Sequence, residues 1–185
     1  PAYKGYNHLT QVMSVLGNQK APLHSFYNAW LIALGILLLI ASFRLYSAVV
    51  QVSPLLSALL CLVTIAYALG GCLLSGIFPV GETKSLDTIS AQIHGYGSVI
   101  GFLLLTFAPL FIGWYFFKIS NRFAGTSSVL CFVLAILFFV LFVMADKPVF
   151  RGTVIAFEGL WQRLSLLFMY IPLGIISFFI ASKGR

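Results

Sequence analysis

Five stretches of this chain are too long and too apolar to belong to a water-soluble fold: residues 26–43, 54–78, 93–117, 127–145 and 159–182. Each holds 18 or more residues with at most one full charge. A helix needs roughly 20 such residues to cross a hydrocarbon layer of ~30 Å, and lipid offers no water to an open backbone. The runs therefore predict an all-α, polytopic transmembrane helix bundle, a single domain over residues 1–185. Composition agrees: 61% of residues are hydrophobic and 8% charged, more apolar surface than a soluble fold can hide.

The net charge of +7 points to topology, not to nucleic acid. The basic residues are scattered through short loops, with no basic helix and no aromatic interleaving. Cys61, Cys72 and Cys131 all fall inside apolar runs, where they read as small core residues, with neither a disulfide framework nor a metal-ligand spacing.

Alternating the loops gives the bundle two unlike ends. End A receives residues 1–25, 79–92 and 146–158, and with them Glu82, Asp87, Asp146, Glu158, His8, His24 and His94. End B receives Arg44, Lys118, Arg122, Lys183 and Arg185, and no acid. By lysine and arginine alone the ends nearly tie; the short, purely basic loops of end B place it, with the C-terminus, in the cytoplasm of a cell-membrane protein. Pro1 then lies outside, and a further helix before Pro1 is expected, giving six spans in the full-length protein.

Ahead of the first run, Tyr6, Leu9, Met13 and Leu16 recur at helical spacing. They predict a short amphipathic interfacial helix within residues 3–17, closed by Gly17 and Asn18. Within the runs, Gly97 and Gly101 form a GxxxG step, and Gly71 with Ser75 a second small-residue step. Such faces serve packing between helices of one chain or a homo-oligomer contact. Pro109 and Pro172 should kink their helices, and Trp30, Trp114 and Trp161 lie near span ends.

The chemistry-bearing candidates gather at end A. Arg163 sits about one turn inside the last run, where a guanidinium needs an acid, a carbonyl or a lipid phosphate, or else snorkels to the headgroups. His94 opens the third run, with Asp87 or Thr88 as helix cap, and Glu82 in the preceding loop. A histidine near carboxylates fits a general base, a metal ligand or a proton relay, or simply a side chain satisfied by a loop. Asn28 enters the first span at similar depth and can bond across helices. No compact metal-ligand spacing, nucleophile elbow, P-loop or dinucleotide fingerprint occurs, so no metal and no cofactor is expected.

The set Tyr6…Ser14-Val15-Leu16-Gly17, Asn28 with Gly35, Gly76-Ile77-Phe78-Pro79, Ile93-His94-Gly95 and Gly159-Leu160-Trp161-Gln162-Arg163-Leu164 resembles the prokaryotic membrane family catalogued as domain of unknown function 998. The resemblance spans nearly the whole chain and is carried by the order and spacing of short motifs. It implies a six-helix protein whose first helix precedes the Ser-x-Leu-Gly segment. Where many members place an Asp shortly after Phe-Pro, this chain has Gly81-Glu82, with Glu82 as the stand-in. No activity comes with it.

The expected site is a polar pocket at the extracytoplasmic helix ends, made by Ser14, Asn28, Glu82, His94, Glu158 and Arg163. Its expected ligand is a lipid headgroup or small amphiphile, with membrane lipids as partners. The alternatives are a membrane-embedded hydrolase or lipid-modifying enzyme, using His94 with Glu82 or Glu158, and, more weakly, a small-molecule transporter.

Overall fold

The structure, a computed structural model, describes residues 3–79 and 86–183. Its secondary structure is helical, with no strand among the described residues. Among the described residues, five helical stretches are long and apolar enough to cross a membrane: His24–Val49, Pro54–Ile77, Ile89–Lys118, Arg122–Ala145 and Glu158–Ser182. We label α1 His24–Val49, α2 Pro54–Ile77, α3 Ile89–Leu105, α4 Ala108–Lys118, α5 Arg122–Ala145 and α6 Glu158–Lys183. Neighbours in sequence are neighbours in space: α1 lies on α2, α2 on α3, α4 on α5, and α5 on α6, with α6 closing against α4.

Two interruptions mark this plan, each with a local cause. The third span breaks at Thr106 and Phe107, because Pro109 in the first turn of α4 has no N–H to offer a preceding carbonyl. Pro172, by contrast, is carried inside a continuous α6. In α2 the segment Tyr67–Leu74 winds as a π-helix, a form often met at functional sites. The widened turn is held by Ser75, whose Oγ donates to the Gly70 carbonyl at 2.9 Å. It also meets the Ser98 hydroxyl of α3 at 2.7 Å.

The glycine steps explain why α2 and α3 approach so closely. A Cβ on Gly70 would run into the Gly97 carbonyl, and one on Gly101 would lie 2.9 Å from the Gly71 nitrogen. The Gly97/Gly101 face is thus filled by Gly70 and Gly71 of the same chain. Where lipid supplies no hydrophobic drive between helices, such contacts and a few hydrogen bonds hold the bundle. Ser57 Oγ donates to the Tyr46 carbonyl at 2.8 Å between α2 and α1, and Ser165 Oγ to the Ala135 carbonyl at 3.1 Å between α6 and α5.

The expected interfacial helix over residues 3–17 is corrected. Only Met13–Gly17 is helical, and as a 3-10 turn; residues 3–11 form successive turns. Their polar groups bond within the segment and to α6, so regular helix hydrogen bonding is replaced, not merely lost. Asn7 Oδ1 accepts from the Leu9 N–H and Gln11 Oε1 from the Asn7 N–H, each at 2.8 Å. Asn and Gln side chains that bond nearby backbone compete with helix in this way.

Candidate functional site

Several polar residues of end A are joined around the first turn of α6. Arg163 Nη1 donates to the carbonyls of His8 at 2.8 Å, Gln11 at 3.2 Å and Gly159 at 2.7 Å. Its Nη2 donates to the Tyr6 hydroxyl, and that hydroxyl donates to the Val12 carbonyl at 3.3 Å. Beside it, Gln162 Oε1 accepts from the Met13 N–H at 2.7 Å, and the Leu160 N–H donates to the Leu9 carbonyl at 3.0 Å. The first turn of α6 thus staples residues 6–13 onto the bundle. Gly159 is the residue that permits it: a Cβ there would collide with the Gln11 and His8 carbonyls.

Each remaining motif is tied to another in the same fashion. Asn28 Nδ2 donates to the Gly17 carbonyl at 3.1 Å, and a Cβ on Gly17 would strike Asn28 Oδ1. The backbone oxygen of Asn28 would lie 2.8 Å from a Cβ on Gly76. His94 Nδ1 lies 2.9 Å from the Phe78 carbonyl. Since a carbonyl only accepts, that nitrogen carries the hydrogen. Thr88 caps α3 by accepting from the Ala91 N–H at 3.1 Å. Trp161 faces inward as well, donating from Nε1 to the Ile155 carbonyl at 3.0 Å and stacking on Phe138.

Under the stapled segment lies a cavity of about 470 Å³, within the usual range for small-molecule sites. Its wall is graded along four helices. Toward end A it presents Ser75, His94, Asp146 and Glu158; deeper in the same helices it presents Tyr67, Phe102, Phe142 and Leu166. Ser14 and Met13 form part of its N-terminal wall. From His94 to Phe102 the gradient covers ~12 Å of helix.

Of the residues singled out from sequence, Ser14, His94 and Glu158 line this cavity. Arg163 and Asn28 sit outside its lining and hold its surroundings together: Arg163 fixes residues 6–11 through carbonyls, and Asn28 fixes Gly17. Glu82 lies outside the described residues. Asp146, Tyr27, Tyr67 and Gln162 join the lining without having been expected there. Asp146 had one available signal: it ends an apolar run, as Glu158 begins the next, across the same loop. Among the described residues no group of three His, Cys, Asp or Glu side chains is placed to hold a metal ion.

Five apolar helices among the described residues, in an all-helical fold, define a multi-pass membrane protein. Over residues 1–178 the chain matches the family described as "Protein of unknown function (DUF998)", and it belongs to that family. No curated protein and no solved structure matches it.

Proposed function

We propose that this protein binds an amphiphile in the cavity at end A. The polar head sits among Ser14, His94, Asp146 and Glu158, and the apolar body between Tyr67, Phe102, Phe142 and Leu166. The observation that carries this reading is the graded wall, repeated on four helices, of a 470 Å³ space. Amphiphiles are recognised this way: apolar walls supply affinity and a few polar groups fix orientation. In this reading the stapled segment 6–17 is part of the enclosure, and end A faces the extracytoplasmic side of the cell membrane.

Native mass spectrometry of the full-length protein purified in a neutral detergent tests the site. Wild type should carry an amphiphile adduct, and Ser98→Phe, which places a ring in the lined space, should lose it while eluting as the same folded species. Identical adduct patterns in the two proteins, or no adduct in wild type even with added amphiphile, would end the reading. Sidedness is tested separately with a membrane-impermeant thiol reagent on intact cells, in a background lacking Cys61, Cys72 and Cys131. Val149→Cys, 77% exposed in the end-A loop, should label and Lys118→Cys should not; the opposite pattern inverts the topology.

A further inference from the structure

We infer that the head group this cavity selects carries a positively charged nitrogen, as in an alkylammonium or an ethanolamine headgroup. The inference rests on the amphiphile reading above and narrows it to a charge class.

The observations behind it are the kinds of group at the polar end of the wall. Among the described residues, the fully charged side chains lining the cavity are Asp146 and Glu158; no lysine or arginine lines it. Both acids already interact with other parts of the protein. A carboxylate offers about four lone-pair sites on its two oxygens, so one partner does not use up its capacity to accept. His94, only 8% exposed, lines the same end of the cavity, with its Nδ1 on the Phe78 carbonyl.

An aromatic group at the same end favours the same sign. Tyr27, in the first turn of α1, contributes to the wall, and a ring face attracts a cation. The nearby group best suited to an anion, Arg163, is committed elsewhere: its Nη1 serves three backbone carbonyls and its Nη2 the Tyr6 hydroxyl. An anionic head would meet two carboxylates and find no guanidinium among the residues lining the space. An ammonium head would meet acceptors and a ring face.

The test uses the full-length protein in a neutral maltoside detergent, with three probes of equal chain length: dodecylamine, lauroyl lysophosphatidylethanolamine and lauroyl lysophosphatidylglycerol. Occupancy is titrated by native mass spectrometry. At least one ammonium-bearing probe should half-fill the site at about tenfold lower concentration than the anionic one. Which of the two binds better assigns the source, a free amine or a phospholipid. Asp146→Asn with Glu158→Gln should level the preference, and the single Asp146→Asn variant should reduce it should the double variant not fold. Equal or tighter binding of the phosphatidylglycerol probe would overturn the charge inference while leaving the amphiphile site intact. A preference for ammonium that survives the substitutions would overturn it too, by removing the carboxylates from its cause. Failure of all three probes to bind wild type would remove the amphiphile reading and this inference together.

Discussion

The two ends of the bundle close their helices by opposite means. At end B each tight turn is satisfied by its own residues: Ser53 Oγ accepts from the Leu56 N–H at 3.5 Å, and Asn121 Oδ1 from the Ala124 N–H at 3.1 Å. Ser120 supplies the left-handed kink between α4 and α5, with φ of 61°. Ser57 adds a bond to Tyr46 across the same α1–α2 turn; at end A, beside the local Thr88 cap, several partners lie far along the chain. Gln162 reaches Met13, Arg163 reaches His8 and Gln11, Asn28 reaches Gly17, and His94 reaches Phe78. A local cap shapes only its own turn. Long-range bonds lock separate segments together and enclose space between them, and the 470 Å³ cavity lies at the end built that way.

Substitutions ranked by effect put this contrast at risk. Arg163→Ala should cost the most, about 3 kcal/mol, since it removes the side-chain donor that serves the carbonyls of residues 8, 11 and 159 and the Tyr6 hydroxyl together. Thermal unfolding in detergent should show it as the largest fall in Tm. Gly159→Ala comes next, at about 2 kcal/mol, because its Cβ must push the His8 and Gln11 backbone away. Limited proteolysis should then cut within residues 3–17 before any transmembrane segment. Arg163→Lys should land between wild type and Arg163→Ala, as one ammonium cannot serve the spread of carbonyls that a guanidinium does. Asn121→Ala, at end B, should cost about 1 kcal/mol, the usual worth of an N-cap. Should Asn121→Ala lower Tm as much as Arg163→Ala, the two ends do not differ in the way described.

This difference also decides what could be read from the sequence. The spans were legible because lipid imposes one rule on every residue of a run, and the break before α4 because Pro109 carries its own cause. A cap at Asp87 or Thr88 was legible for the same reason, and Thr88 fills it with a partner three residues away. The role of Arg163 was legible only as a need for partners. That those partners are carbonyls some 155 residues earlier depends on how α6 meets the N-terminal segment, which no local spacing encodes. The expected helix within residues 3–17 was realised at Met13–Gly17 alone, on the same ground. Its apolar spacing was present, but the polar side chains and α6 captured the backbone first. The π-helical turn of α2 was hidden likewise, because it requires Gly70 and Gly71 to meet α3. Asp146 read as a loop acid until the fold brought its helix end beside Glu158 and His94 along one cavity wall.

The central claim is that Arg163 holds the N-terminal segment over the cavity and does not itself grip a ligand. Hydrogen exchange of residues 6–17, followed by mass spectrometry in wild type and Arg163→Ala, tests it most directly. The Met13 N–H, bonded to Gln162, and its neighbours should be protected in wild type. In the variant they should exchange at least about tenfold faster, while amides in the middle of α5 keep their protection. Unchanged protection of residues 6–17 would contradict the account and return Arg163 to the role of a ligand-binding side chain.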